Sequence, residues 1–244
     1  KVIERCDFNV PITGGNITDE SKIIKSLETI NYLLSKNCKI IILSHLGRVK
    51  TEEDKAKNSL IIVKNCLERL LNKPIKFAND ILSEETKNIA LNLQSGEILL
   101  LENTRFLDVP NKLESNLNEE VAQKLASLGE MFVLDAFAVA HRNHTSVVGI
   151  PKYLPSCLGF LVEKEKNMLD KIIMKPERPF TVIMGGAKVD DKLKIINSLL
   201  PKCEHLLVSG GIANSFLSAS ASSLETASFN VLGAPSTISL ASFN

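Results

Sequence analysis

The stretch CKIIILSHLGR, residues 38–48, joins an apolar run directly to a polar, cationic end. Residues 40–43 are Ile-Ile-Ile-Leu, and a run without polar residues is typical of a strand that is covered on both faces. Residues 44–48 then supply a serine, a histidine, a glycine and an arginine, which are residue types that suit an anion. The stretch predicts a buried strand whose carboxyl end opens onto an anion site.

Further apolar runs of this kind alternate with segments that have helical periodicity. The strand-like runs are at 1–8, 97–101, 131–137, 180–184 and 205–209, and helical patterns are at 19–37, 60–72 and 118–129. This alternation predicts an α/β fold with a doubly wound parallel sheet, a Rossmann-like three-layer sandwich. We expect Asp19 to cap the first helix and Gly129 to end the third.

A second unit is predicted after the helical pattern at 160–174, because two prolines follow within KPERP, residues 175–179. We predict a first domain at 1–159, a helix and linker at 160–178, and the start of an incomplete second α/β domain at 179–217. Residues 218–244 contain eight serines and no lysine or arginine. This segment has neither helical nor strand periodicity, and it is either a flexible tail or coding sequence read in a wrong frame.

The overall composition limits the possible partners. The formal net charge is +1, so no global field favours nucleic acid or an anionic membrane. No apolar run approaches the ~20 residues of a membrane span. Five scattered cysteines without a C-x-x-C pair predict a reducing, cytoplasmic location. Because the chain begins at Lys1 inside a predicted strand, we also expect a segment upstream of it.

The predicted strands end in similar chemistry. In an open parallel sheet ligands bind beyond the carboxyl ends of the strands, so several side chains should meet at one edge: Asp7, Asn9, His45, Arg48, Arg105, His141 and Arg142. Arginines grip phosphate and carboxylate with two parallel hydrogen bonds, which predicts a pocket for a small, multiply charged anion. The alternative is that each arginine is a solvated surface charge.

Two further motifs have weaker chemical signals. His141 and His144 could suggest a metal pair, but no carboxylate or cysteine partner has ligand spacing, so we predict no metal ligands. The stretch VIMGGAKVDDK, residues 182–192, has paired glycines before a helix and lysines at positions 188 and 192. It predicts a phosphate cradle at a helix N-terminus, with a plain tight turn as the alternative, and it matches neither a P-loop nor G-x-G-x-x-G.

Taken together, RCDFNVP, SHLGR, LLENTRF, DAFAVAHR, PERPF and GGAKVDDK resemble, in order and spacing, the signature segments of the phosphoglycerate kinase family. The resemblance covers residues 1 to about 217. It implies two doubly wound α/β domains, the first binding 3-phosphoglycerate or 1,3-bisphosphoglycerate. The second domain would bind ADP or ATP with Mg²⁺, and the protein would be a cytoplasmic, monomeric glycolytic enzyme.

The resemblance also assigns roles to residues. Substrate binding would involve Asp7, Phe8, Asn9, Lys22, His45, Leu46, Gly47, Arg48, Arg105 and Arg142. Nucleotide binding would involve Gly186, Ala187, Lys188, Lys192, Gly210 and Gly211. Lys22 and Lys192 would be the catalytic cations, since phosphoryl transfer depends on positioning and on stabilising the charge of the moving group.

Several positions depart from the family pattern. Lys22 stands where the family has an arginine, Val139 where it has a threonine, and Ser209 where it has a glycine. The later nucleotide-binding segments of the family have no counterpart, so we expect an incomplete chain with impaired activity. Two alternatives stay open. One is a non-catalytic homologue that binds 3-phosphoglycerate or acts as an interaction module, and the other is an oxidoreductase, which the missing G-x-G-x-x-G disfavours.

Overall fold

A computed structural model describes residues 1–186, 190–222 and 237–240 of the chain. By their contacts the residues form two compact units, Lys1–Glu165 and Lys166–Asn244. The division falls within the segment 160–178 that the sequence assigned to the link between domains. The limits 1–159 and 179–217 stay predictions.

The first unit contains six strands that pair in one parallel sheet and two that form a short antiparallel hairpin. In chain order the strands are β1 (Val2–Cys6), β2 (Ile12–Thr13), β3 (Asn16–Ile17), β4 (Ile40–Leu43), β5 (Lys76–Ala78), β6 (Ile98–Leu101), β7 (Met131–Asp135) and β8 (Ser156–Leu158). β2 and β3 form the hairpin, and the sheet has the order β5-β6-β4-β1-β7-β8. The predicted parallel α/β fold is confirmed.

Six helices begin in this unit: α1 (Ser21–Ser35), α2 (Glu52–Lys57), α3 (Ile61–Leu71), α4 (Glu84–Leu91), α5 (Glu119–Ala126) and α6 (Phe160–Met174). The helical patterns at 19–37, 60–72, 118–129 and 160–174 correspond to α1, α3, α5 and α6. The sequence patterns did not predict α2, α4, β5, β8 or the hairpin. α2, β5, β8 and the hairpin strands have two to six residues, which is too short for a periodic pattern to emerge. α4 is as long as α5, but its apolar residues are confined to 89–91 and do not recur at helical spacing.

Apolar side chains fill both faces of the sheet. Ile40 and Ile42 belong to one buried cluster with residues of α1 and α3, and Ile41 and Leu43 belong to a second cluster with residues of α4 and α5. All four side chains of β4 are 0% exposed, because successive residues of a strand point to opposite faces and each face is covered. The sheet thus lies between two helical layers, as predicted.

Two helix-end predictions are wrong. Glu20, not Asp19, precedes the first residue of α1, and Asp19 Oδ1 accepts a hydrogen bond from the Ser21 backbone N–H at 2.8 Å from one position further out. α5 ends at Ala126, and Gly129 is required for space. A Cβ atom at Gly129 would lie 2.5 Å from Ile3 Cγ1.

The second unit has a smaller parallel sheet in its described part. Its strands are β9 (Thr181–Gly185), β10 (His205–Ser209) and β11 (Thr237–Leu240), in the order β11-β10-β9, and its helices are α7 (Asp190–Leu199) and α8 (Gly210–Ser222). Among the described residues one apolar cluster, which includes Ile196, Leu206 and Ile212, supports this sheet.

Within the segment 218–244, which showed neither helical nor strand periodicity, the structure has regular elements at two places. α8 continues to Ser222, and β11 pairs with β10 in the register His205↔Thr237. Parallel pairing uses backbone N–H and C=O groups, so it does not require an apolar side-chain pattern. Residues 223–236 and 241–244 of the predicted tail lie outside the described residues.

Within the described ranges, no helix combines the length and the apolar character that crossing a membrane would require.

Candidate anion-binding site

Three of the predicted arginines line a single cleft in the first unit. Arg48 follows β4, Arg105 follows β6 and Arg142 follows β7, and the cleft between them has a volume of about 530 Å³. Lys50 and Lys112 line the same space. We call this space, with its three arginines and two lysines, the arginine cleft.

The arginine cleft has more positive than negative charge. The acidic residue in its lining is Asp108, which is already engaged, because Arg105 Nη1 donates to Asp108 Oδ2 at 2.8 Å. The side chains of Arg48, Arg142 and both lysines have no salt-bridge partner among the described residues. An anion with more than one negative charge would balance this cluster.

Asp108 also anchors the loop that follows it. Its Oδ1 atom accepts hydrogen bonds from the backbone N–H groups of Glu114 at 3.1 Å and Ser115 at 2.7 Å. Burial alone would raise the pKa of Asp108, but the hydrogen bonds from Arg105 and Ser115 outweigh it and hold the pKa below its ordinary value. The carboxylate is therefore charged, and it orients the Arg105 guanidinium.

Asn103 joins two of the loops that carry the arginines. Its Oδ1 atom accepts from the backbone N–H groups of Leu46 at 3.2 Å and Arg105 at 3.0 Å, while its Nδ2 atom donates to the carbonyls of Leu46 at 2.7 Å and Asn58 at 2.8 Å. The side chain is fully buried, so these bonds satisfy its polar atoms. This amide fixes the loop after β4 against the loop after β6.

Gly47 makes the tight turn in SHLGR. Its φ of +63° lies in the left-handed region, and a Cβ atom there would lie 2.1 Å from Asn58 Oδ1. The Gly47 N–H donates to Asn9 Oδ1 at 2.8 Å. The turn thus brings the loop after β1 against the loop after β4.

A buried polar network lies behind these loops, centred on Arg5 of β1. The Arg5 side chain is 0% exposed, and it donates from Nε to Ser146 Oγ at 2.9 Å and from Nη1 to the Cys6 carbonyl. Ser146 Oγ in turn donates to Glu114 Oε1 at 2.6 Å. Burial raises the pKa of Glu114, opposed by the charge of Arg5 and the hydrogen bonds from Ser146.

Two histidines near this network are neutral at pH 7. Burial and the charge of Arg5 lower the pKa of His45 to about 3. Burial and the charges of Arg105 and Arg142 lower the pKa of His144 to about 4. The 3.7 Å approach of His144 Nδ1 to Glu114 Oε1 is therefore not an ion pair at pH 7.

The remaining predicted substrate residues do not line the arginine cleft. Asp7 and Lys22 form an ion pair at 2.9 Å beside a smaller cavity of about 170 Å³. Asn9, Leu46 and Gly47 line a third cleft of about 540 Å³. The rings of Phe8 and His45 appear in none of these linings, since Phe8 is buried in the core and its backbone N–H donates to Ser44 Oγ at 2.8 Å.

In the second unit, the described part of the predicted phosphate cradle surrounds the end of β9. Lys192 Nζ donates to the Gly185 carbonyl, beside Gly186. Gly210 and Gly211 open α8 directly after β10. Ala187 and Lys188, which the sequence also assigned to this cradle, lie outside the described residues.

Sequence reasoning missed several residues that build the site. Lys50 and Lys112 line the arginine cleft but belong to no recognised motif. Arg5 and its neighbour Glu4 are ionisable residues inside a strand whose other members are apolar, and this was a readable signal, because a buried charge requires partners. The roles of Asn103 and Glu114 depend on long-range contacts that no local pattern predicts. In the described part of the chain, no three His, Cys, Asp or Glu side chains lie close enough together to hold a metal ion.

Comparisons with known proteins agree on one family. The family model for phosphoglycerate kinase matches residues 1–236, which extends further than the limit near residue 217 expected from the motifs. The phosphoglycerate kinase of Macrococcus caseolyticus is 47% identical over 219 residues, covering 90% of this chain and 55% of that protein. That of Mycoplasma genitalium is 48% identical over 227 residues, covering 89% of this chain and 55% of that protein.

Solved structures give the same result. The phosphoglycerate kinase of Coxiella burnetii superposes with a TM-score of 0.79 at 37% identity, covering 90% of this chain and 54% of that one. That of Pyrococcus horikoshii gives a TM-score of 0.76 at 31% identity, covering 90% and 55%. The chain spans about half the length of the relatives it matches.

Proposed function

The chain belongs to the phosphoglycerate kinase family, and we propose that its first unit binds 3-phosphoglycerate or 1,3-bisphosphoglycerate in the arginine cleft. The observation that carries the proposal is the shared cleft of Arg48, Arg105 and Arg142, in which the acidic residue Asp108 is already paired. Guanidinium groups match the oxygen spacing of phosphate and carboxylate. The substrate class fits because each of these ligands has two anionic groups.

We propose that the reaction is the reversible phosphoryl transfer between 1,3-bisphosphoglycerate and ADP, which gives 3-phosphoglycerate and ATP. The bond between the acyl oxygen and phosphorus breaks, the carboxylate leaves with the bonding electrons, and a terminal oxygen of ADP forms the new bond to phosphorus. No covalent enzyme intermediate is needed. The protein contributes positioning and positive charge, while Mg²⁺ would enter with the nucleotide as part of that substrate.

On the substrate side, Lys22 would be the additional cation for the transferred group. Its Nζ atom donates to Asp7 Oδ2 at 2.9 Å, and its side chain is 42% exposed. This ion pair would have to loosen for Nζ to reach a phosphoryl oxygen. A lysine offers a point charge in place of a planar fork, so we propose that transfer by this chain is slower than an arginine at this position would allow.

On the nucleotide side, we propose that the phosphates are held by Gly186, Ala187, Lys188, Lys192, Gly210 and Gly211. Lys192 Nζ would exchange its bond to the Gly185 carbonyl for a phosphate oxygen. The chain spans about half the length of its relatives. We also propose that this chain by itself has impaired activity.

We further propose that the protein is a monomer that acts in the cytoplasm. The support for the compartment is chemical, since all five cysteines are free thiols, as a reducing compartment would keep them.

The test of the substrate site is a calorimetric titration of the chain with 3-phosphoglycerate beside the variant Arg142→Ala. We expect saturable binding that weakens by about tenfold to a hundredfold in the variant, as loss of a charged hydrogen-bond donor implies. The matched control is Lys87→Ala, which removes one positive charge from α4 outside the cleft and should leave the affinity unchanged.

The outcomes separate the candidate functions. Absence of binding by a chain that circular dichroism shows to be folded would refute the site. Binding without ATP formation from 1,3-bisphosphoglycerate and Mg-ADP would favour the second candidate, a non-catalytic homologue that binds 3-phosphoglycerate. The ion pair that occupies Lys22 is the observation that favours this second candidate.

A further inference from the structure

The contact between Arg5 and His45 decides which nitrogen of the histidine carries a proton. Arg5 Nη2 lies 3.3 Å from His45 Nδ1. A guanidinium group has donors only, and it stays protonated in proteins. His45 Nδ1 must therefore accept this hydrogen bond, which leaves the ring proton on Nε2.

Arg5 is held so that it cannot turn away from the ring. Nε donates to Ser146 Oγ at 2.9 Å, and Nη1 donates to the Cys6 carbonyl. Ser146 is itself fixed by Glu114, which accepts from its N–H at 3.0 Å and from its Oγ at 2.6 Å. The side chains of all three residues, Arg5, Ser146 and Glu114, are completely buried, so this geometry has no access to competing water.

A second proton on the His45 ring would be unfavourable. The charged groups that act on the ring are Arg5 from β1, Lys22 from α1, Arg105 from the loop after β6 and, with opposite sign, Asp7 from the loop after β1. Protonating Nδ1 would remove its hydrogen bond and place a positive charge beside the Arg5 guanidinium. Three cations oppose that charge, and one carboxylate, already paired with Lys22, favours it.

We propose that Arg5 is a positioning residue that fixes His45 as the neutral tautomer with its proton on Nε2, and that His45 serves the substrate site as a hydrogen-bond donor without a charge. The part of this inference that concerns the ligand rests on the proposed function. His45 is half-buried and does not itself line the arginine cleft, and its Nε2 has no hydrogen-bond partner among the described residues. An oxygen of a bound anion that extends from the cleft to the ring is the acceptor that this N–H group would take.

A functional consequence follows for the pH dependence of binding. The positive charge that attracts the anion comes from the arginines and lysines of the arginine cleft and not from the neutral His45 ring. Binding of 3-phosphoglycerate should therefore show no contribution from His45 between about pH 5 and 8, where an ordinary histidine changes its charge.

The first test is a two-bond ¹⁵N–¹H correlation spectrum of the full chain with labelled histidine, recorded from about pH 5 to 8. The chain has four histidines, and the His45 signals are those lost in His45→Gln. We expect an unprotonated Nδ1 and a protonated Nε2 at every pH. A proton on Nδ1, or titration of the ring near its ordinary pKa of about 6.5, would overturn the proposal.

The role of Arg5 is tested with Arg5→Lys, which keeps the positive charge near Glu114 but lacks the fork that reaches Nδ1. We expect the ring proton in this variant to be shared between the two nitrogens. An unchanged Nε2 tautomer in a folded Arg5→Lys chain would refute the positioning role. If the variant does not fold, the spectrum of the unmodified chain still decides the tautomer.

The donor role is tested by binding of 3-phosphoglycerate to two isosteric variants. His45→Gln places an amide N–H near the position of Nε2, whereas His45→Asn places its amide near Nδ1. We expect His45→Gln to retain most of the affinity and His45→Asn to lose about tenfold, as removal of one donor to a charged group implies. The control is His205→Gln, an exposed histidine of β10 in the second unit.

The two arms fail in distinguishable ways. Equal losses in His45→Gln and His45→Asn would overturn the donor role while the spectrum of the unmodified chain still tests the tautomer. If the unmodified chain does not bind 3-phosphoglycerate at all, the proposed function and the donor role both fail, and the tautomer is still decided by the spectrum.

Discussion

The two units use similar apolar strands but cover them differently. In the first unit every side chain of β4 is 0% exposed, since helical layers with separate apolar clusters cover both faces. In the second unit Ile183, in the middle of β9, is 76% exposed, and among the described residues one cluster lies on the opposite face. The difference shows that an apolar run predicts a strand but not its burial, which depends on what covers each face.

The same contrast holds for charged groups. The first unit completely buries Glu4, Arg5 and Glu114, whereas the ionisable side chains described in the second unit, such as Lys192 and Glu204, retain contact with solvent. Burying a charge is costly unless partners surround it. The buried network behind the arginine cleft thus depends on a sheet that is covered on both faces.

The largest expected effect is on stability, from the matched pair Ile41→Ala and Ile183→Ala. Ile41 is completely buried in β4, so its truncation should lower the free energy of unfolding by about 2–5 kcal/mol. Ile183 is exposed, and its truncation should change the value by less than about 0.5 kcal/mol.

Urea unfolding measures both variants. The chain has two tyrosines, Tyr32 and Tyr153, and no tryptophan, so tyrosine fluorescence reports on the first unit, while circular dichroism follows both units. Comparable losses in the two variants would mean that β9 is covered as completely as β4, and the comparison between the units would fail.

The next effect concerns the buried carboxyl of Glu4. Burial and the nearby Asp135 raise the pKa of Glu4 from 4.5 to about 8, and its Oε2 atom has no hydrogen-bond partner. The folded unit keeps this proton where the unfolded chain has released it, so Glu4 lowers stability as the pH rises from 4.5 to about 8. The variant Glu4→Gln should not lose stability over this pH range. Near pH 8 its free energy of unfolding should exceed that of the unmodified chain by a few kcal/mol.

Glu204 in the second unit should show the opposite sign. The Phe180 N–H donates to Glu204 Oε2 at 2.6 Å, and this bond with the Arg178 contact lowers the pKa of Glu204. The stability that Glu204 contributes is therefore present above its unfolded pKa and is lost as the pH falls through its folded pKa. Relative to the unmodified chain, Glu4→Gln should become more stable as the pH rises, whereas Glu204→Gln should become less stable. Differences from the unmodified chain that do not vary with pH would contradict both assignments.

The smallest effect is a comparison of two glycines with the same backbone angle. Gly47 and Gly210 both have φ of +63°, but a Cβ atom at Gly47 would meet Asn58 Oδ1 at 2.1 Å, whereas the nearest atoms at Gly210 are 3.5 Å away. Gly210→Ala should cost about 1–2 kcal/mol, the penalty of a left-handed alanine. Gly47→Ala should cost more and should also weaken 3-phosphoglycerate binding.

Thermal unfolding of the two alanine variants separates the backbone strain that both share from the steric clash with Asn58 that only Gly47→Ala would have. An equal change in both would mean that Asn58 moves aside at no cost. In that case the hydrogen bond from Asn58 Nδ2 to the Asp54 carbonyl would not hold the Asn58 side chain against the turn after β4, and the site would be less rigid than its contacts indicate.

The motifs at the strand ends predicted much of the candidate site. SHLGR, ENTRF and DAFAVAHR each follow an apolar run, and parallel order alone places their arginines at one edge of a sheet. Their convergence in one cleft agrees with that argument. The motifs did not separate Asp7 and Lys22, which line another cavity, from the arginines, because sequence order gives the edge of the sheet but not the position along it.

The sequence by itself determined the fold class, the long helices and the family, because these depend on side-chain period and on local motifs. Only the tertiary structure decided that Arg5 meets His45, that Asn103 joins two loops, and that 237–240 forms a strand. Arg5 and Ser146 are 141 positions apart in the chain, and their contact follows from how the sheet brings distant loops together. Local patterns record the preferences of neighbours, whereas the protonation and orientation of a site depend on groups that only folding brings within hydrogen-bond distance.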